Sequence, residues 1–134
     1  MKNSILVKNS ILVIVLFWII LEMVNGSMVL GNQNVVGEWK YEVPTAPYGY
    51  QKGVITLTVD KNVLSGEVKF DTGYKIQLKD AIFEGDTLKI SLYVDYEYVT
   101  LAIKVTGNKM KGTVDSSQGE MAFNAEKIIK AEKK

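Results

Sequence analysis

From residue 35 onward apolar and polar positions alternate. Ile55-Thr56-Leu57-Thr58-Val59 alternates over five residues, Leu88 to Val94 over seven, and Val99 to Val105 over seven more. A period of two puts successive side chains on opposite faces and predicts half-buried strands. No stretch of the body carries a 3.6-residue period, and only Ala125 to Lys134 leaves room for a helical turn or two. Eight strands are predicted, over residues 36–43, 50–60, 63–70, 74–82, 87–95, 98–106, 109–115 and 119–127.

Turn arithmetic tests these strands. Paired residues of an antiparallel hairpin have a constant index sum and face the same side. Val59 with Leu64 aligns Leu57 with Gly66 and Ile55 with Val68 across Lys61-Asn62. Val105 with Met110 aligns Ile103 with Gly112 across Gly107-Asn108, a tip suited to a primed two-residue turn. Phe70 with Tyr74 sets Val68 opposite Ile76 across Asp71-Thr72-Gly73, and Gly85-Asp86 separates Phe83 from Leu88. Val94 with Val99 aligns Leu92 with Leu101 and Ile90 with Ile103, with Tyr96-Glu97 as the tip; that tip lacks glycine and asparagine. One phase conflict appears. Tyr74, Ile76 and Leu78 face inward at even numbers, whereas Phe83 must face inward at an odd one. The chain therefore shifts phase between Lys79 and Ala81, through a bulge at Asp80 or a break into two short strands.

Sequential hairpins make an up-and-down meander. Eight strands with no helix layer cannot bury one apolar face as a flat sheet. The expected fold is all-β, an eight-stranded antiparallel meander closed into a small barrel, which removes the edge strands. A two-sheet sandwich is the alternative. An internal echo runs through this body: Asn62-Val63-Leu64-Ser65-Gly66-Glu67-Val68 matches Asn108-Lys109-Met110-Lys111-Gly112-Thr113-Val114 in the skeleton Asn-x-[Leu/Met]-x-Gly-x-Val. Either pseudo-symmetry or shared turn chemistry produces such an echo.

The first thirty residues are different material. Lys2 and Lys8 precede Ile11 to Leu21, eleven uninterrupted apolar residues ended by Glu22. Spanning a bilayer takes about 20 apolar residues, so eleven fits the core of a signal peptide. Val24-Asn25-Gly26-Ser27 supplies small residues for cleavage after Gly26 or Ser27. Residues 1–26 are read as a signal peptide, 27–34 as a flexible N-terminus, 35–128 as the barrel and 129–134 as a charged tail. The product is exported, periplasmic or extracellular, and meets the membrane only during export; an uncleaved anchor is the alternative.

Composition then removes chemistry. The 134 residues contain no cysteine and no histidine, and all 16 basic residues are lysines. Disulfides, thiol nucleophiles, cysteine-held metals and the usual general base are gone. Without Lys2, Lys8 and Glu22, 14 lysines face 14 acids. A neutral, arginine-free body has no electrostatic footprint for nucleic acid. The acids Asp71, Asp80, Glu84, Asp86, Asp95, Glu97, Asp115 and Glu120 show no calcium-loop or hydrolase spacing. A non-enzyme without cofactor or metal is expected.

Gly37-Glu38-Trp39 opens the first strand. A Gly-x-Trp at the start of such a meander resembles the calycin superfamily of lipocalins, fatty-acid-binding proteins and avidins. Together with Thr45-Ala46-Pro47-Tyr48-Gly49, Leu64-Ser65-Gly66 and the closing Ala125-Glu126-Lys127, it is similar to small lipocalin-like domains of exported bacterial proteins. The resemblance implies that Trp39 plugs one end with Lys127 above it, a favourable cation–indole contact. The chain departs from the family in lacking the arginines that hold fatty-acid carboxylates.

An eight-stranded barrel is just wide enough to be filled or to hold one small ligand. The inward-facing residues are Trp39, Tyr41, Ile55, Leu57, Val68, Phe70, Ile76, Leu92, Leu101, Ile103, Val114, Met121 and Phe123. Tyrosines gather at one end: Tyr48 and Tyr50 in the first loop, and Tyr93, Tyr96 and Tyr98 at one hairpin tip. Tyrosine supplies rigid area with a polar tip, as recognition surfaces need. The site expected from sequence is Tyr48, Tyr50, Tyr96, Tyr98, Phe70, Leu92 and Leu101, with Gly37, Trp39 and Lys127 structural. Its occupant is a small apolar ligand in the interior, or another protein held by the loops, as by a protease inhibitor or an envelope adaptor.

Overall fold

A computed structural model describes residues 32–130. The signal peptide expected at 1–26 and the tail beyond 130 lie outside the described residues. Asn32 to Val36 form a turn in which the Val35 and Val36 amides donate to the Asn32 and Gln33 carbonyls. Nine strands follow: β1 Gly37–Glu42, β2 Lys52–Asp60, β3 Val63–Phe70, β4 Lys75–Gln77, β5 Asp80–Glu84, β6 Thr87–Val94, β7 Glu97–Thr106, β8 Lys109–Ser116 and β9 Gly119–Lys127. All neighbours pair antiparallel in one sheet of order β4-β3-β2-β1-β9-β8-β7-β6-β5. β9 keeps Ala125 to Lys127 extended, so no helical turn begins there.

The sheet is curled into a half-barrel. β1 lies between β2 and β9, with Trp39 opposite both Ile55 and Lys127. The two edge strands, β4 and β5, are successive in the chain. Leu78 N donates to Gly66 O on β3 at 2.9 Å, and the next amide, Lys79 N, donates to Ser91 O on β6 at 2.8 Å. One peptide step thus carries the chain from one edge of the sheet to the other.

That step corrects the expected strand count from eight to nine. The segment predicted as one strand, 74–82, breaks at Leu78-Lys79, and the break resolves the phase conflict. Leu78 packs against the core at an even position and Ala81 is buried at an odd one. The predicted registers hold for β2–β3, β3–β4, β5–β6 and β7–β8: Leu57 meets Gly66, Val68 meets Ile76, Phe83 meets Leu88 and Ile103 meets Gly112.

The β6–β7 register does not hold. Val94 pairs with Glu97, Leu92 with Val99 and Ile90 with Leu101, two residues from the expected alignment. The tip is Asp95-Tyr96, with φ of 50° and 69°. Left-handed values at both positions define the turn whose twist matches the flanking strands. Asp tolerates that region through its short polar side chain, whereas Tyr does so at a steric cost. A shift of two keeps every side chain on its face, so the inward set is the one expected.

Expected inward residues form one core. Trp39, Tyr41, Ile55, Leu57, Val68, Phe70, Leu92, Leu101, Ile103, Val114 and Phe123 are buried, and Ile76 and Met121 are half-buried against them.

Candidate functional site

The strands alternate direction, so the connections alternate ends. The turns at 61–62, 85–86 and 107–108 share one end with Val35 and Lys127; the 43–51 loop and the turns at 71–74, 95–96 and 117–118 share the other. The two ends are built differently.

The first end is filled. Trp39, Leu57, Leu88 and Ile103 are at most 1% exposed. The Trp39 indole N–H donates to the Val35 carbonyl at 2.9 Å, so its polar edge is satisfied while the ring is buried. Lys127 Nζ lies 5.5 Å from the Trp39 ring centroid. Gly37 sits at φ 135°, and a Cβ there would come within 3.0 Å of Lys127 Cε. The three residues expected to be structural therefore meet at one point. The Asn62 carbonyl accepts from Asn32 Nδ2 at 3.1 Å and the Asn108 carbonyl from Lys127 N at 2.8 Å, which ties both echo turns to the chain segments flanking the sheet.

The second end is hollow. A cavity of about 350 Å³ opens there. Its wall comes from the same inward phase that fills the other end: Tyr41, Ile55, Val68, Phe70, Ile90, Leu92, Leu101, Val114 and Phe123, with Val43, Ala46 and Pro47 from the first loop. Its mouth carries Tyr50, Asp95, Glu97, Ser116 and Gln118. Aromatic contacts stiffen one wall: Tyr41 stacks on Phe123 at 6.0 Å, and Tyr50 meets Phe70 edge-on at 4.9 Å.

Two hydrogen bonds hold the mouth. The Tyr50 hydroxyl donates to Asp95 Oδ2 and joins the first loop to the β6–β7 turn, in the opposite half of the sheet order. The Ser117 amide donates to Glu97 Oε1. These bonds favour a protonated Tyr50 phenol and an ionised Glu97 carboxylate. Donation to Asp95, then burial, raises the Tyr50 phenol above its ordinary range; the Ser117 bonds hold the Glu97 carboxyl below its own. Burial, with Asp71 nearby, raises the Tyr41 phenol, whose O–H donates to the Tyr50 carbonyl at 3.2 Å.

Of the residues expected from sequence, Tyr50, Phe70, Leu92 and Leu101 line this cavity. Tyr48, Tyr96 and Tyr98 do not. Tyr48 is 94% exposed beside a polar groove formed with Gln51, Lys52, Asp71 and Thr72, and Tyr96 is fully exposed at its turn. Tyr98 faces outward beside Tyr93, ring centroids 5.4 Å apart, with Lys79 Nζ 5.3 Å from its ring. Sequence reasoning missed Asp95 and Glu97 as mouth residues. The signal for Glu97 was present, since it shares the odd inward phase of Val99, Leu101 and Ile103; placing it at the tip concealed it. Among the described residues, no three acids converge as a metal site would require. Neither a protein-family model nor a curated protein matches the chain.

Proposed function

We propose that this protein is an exported, non-catalytic, lipocalin-like barrel that holds a small apolar molecule in the cavity at its open end. The cavity carries the reading. Well-packed cores leave few voids larger than a water, and binding pockets begin at about 300 Å³. Apolar side chains make the wall and polar groups stand at the mouth, the usual division of a pocket between affinity and orientation. Gly37, Trp39 and Lys127 support the calycin likeness, because they meet at the filled end as that resemblance implies. The eleven-residue apolar run supports export.

Titration with the neutral fluorophore N-phenyl-1-naphthylamine tests the reading. Saturable enhancement is expected. Val114→Phe, directed into the hollow, should weaken it at least about tenfold while the denaturation midpoint stays near wild type, since the added ring has space to fill. Equal binding by the variant would place the probe elsewhere.

The full exposure of Tyr48 and Tyr96 favours a second reading, a module that grips another protein through the same end. Tyr48→Ala with Tyr96→Ala would then abolish partner capture and leave fluorophore binding intact.

A further inference from the structure

The charge at the cavity mouth goes beyond an apolar pocket, and its consequence rests on the ligand-binding reading above. We propose that the cavity selects amphiphiles whose polar end is cationic, an alkylammonium or a comparable amine, and rejects those ending in a carboxylate. The chain has no arginine or histidine, so lysine is its one side-chain cation at neutral pH. Among the described residues no lysine lines the cavity, whereas Asp95 and Glu97 both do. The connections at this end, residues 43–51, 71–74, 95–96 and 117–118, contain no lysine either; Lys52, which follows the first of them, lies with Asp71 in the separate groove beside Tyr48.

The carboxylates at the mouth are not neutralised by their partners. Asp95 accepts from the Tyr50 hydroxyl and Glu97 from the Ser117 amide. Both donors are neutral, so the negative charges remain. A carboxylate offers about four lone-pair sites, which leaves each group free to accept from a ligand. The wall below is apolar from Phe123 to Leu101. An alkyl chain seated there brings its head to the level of these two acids. An ammonium head would gain two charge-assisted hydrogen bonds. A carboxylate head would meet two like charges, with no cation beside it among the described residues, a cost that works as selection against that class.

Calorimetry with octylamine, octan-1-ol and nonanoate at pH 7.5 and low salt tests this, because the three share an octyl tail and differ in head charge. The amine should bind about fivefold or more tighter than the alcohol, the sum of two partly exposed ion pairs, and nonanoate weaker than the alcohol. The amine-to-alcohol ratio should fall as salt rises. In Asp95→Asn with Glu97→Gln it should fall towards one. Asn suits the left-handed turn position, and both amides keep an oxygen for Tyr50 and Ser117. Binding of the alcohol with no preference for amine over nonanoate would overturn the inference and leave the cavity reading standing. An amine preference undiminished in the double variant would overturn the assignment to these acids. Failure of octan-1-ol to bind would overturn the cavity reading and this inference with it.

Discussion

Trp39 shows how one residue converts a local pattern into a closed end. Its backbone lies on β1 between β2 and β9, its ring is fully buried, and its indole N–H reaches back four residues to Val35. Emptying a large aromatic from a core costs about 3–5 kcal/mol, a large share of the roughly 5–15 kcal/mol that holds a domain together. Trp39→Ala should therefore unfold the protein or lower its denaturation midpoint sharply. Lys127→Ala should cost only about 0.5–1 kcal/mol, the value of a partly exposed cation over an aromatic face. Urea denaturation followed by circular dichroism separates the two. Trp39 was legible because Gly-x-Trp is a local signal. Tyr50 with Asp95 was not, because the two are 45 positions apart and meet only once the meander brings the first loop over the β6–β7 turn.

At the scale of the element, hairpin arithmetic worked wherever the turn residues constrained it. Lys61-Asn62, Gly85-Asp86 and Gly107-Asn108 all fall at the expected tips. Asp95-Tyr96 escaped because Tyr96 takes a left-handed conformation without the glycine or asparagine that marks one. The echo between the β2–β3 and β7–β8 hairpins also acquires a physical basis. A Cβ on Gly66 would lie 2.1 Å from the Thr56 carbonyl oxygen, and one on Gly112 would lie 2.0 Å from that of Ala102. In each case the partner strand occupies the space a side chain would need. The turns themselves differ. Lys61 and Asn62 are both left-handed, whereas of Gly107 and Asn108 only the glycine is. The shared skeleton thus reflects close strand approach at the glycine more than a common turn. Gly112→Ala should cost about 1–3 kcal/mol, the range for forcing atoms into a packed site. Gly107→Ala should be felt through its positive φ alone. Thermal melts of both variants check this, and an unchanged melt for Gly112→Ala would mean that the strands part without cost.

For the whole molecule the two ends divide the work. The leader read over residues 1–26 predicts a mature chain beginning at Ser27 or Met28, which an intact mass from medium or periplasm would establish; retention of the leader in a membrane fraction would point to an anchor. Within the sheet, sequence told which residues face inward but not how far the inward volume is filled. Alternation fixes the direction of a side chain, whereas a cavity depends on how the sheet curls and where Trp39 and Leu57 end. Leu57 and Leu101 make that division measurable. Both are inward leucines on central strands. Leu57 is fully buried among the side chains that fill one end, and Leu101 borders the cavity at the other. Leucine-to-alanine losses span about 2.7–5.0 kcal/mol and grow with the void created. Leu57→Ala opens a new void in a filled region and should cost about 4–5 kcal/mol. Leu101→Ala enlarges a hollow that Leu101 already borders, so fewer contacts are lost, and the cost should fall near 3 kcal/mol or below. Binding should follow the opposite order. At a temperature where both variants remain folded, Leu57→Ala should bind N-phenyl-1-naphthylamine like the wild type. Leu101→Ala should change its affinity, because it reshapes the wall the probe touches. Equal stability losses with equal binding would mean that the two ends are packed alike. A binding defect confined to Leu57→Ala would put the pocket at the end that Trp39 fills.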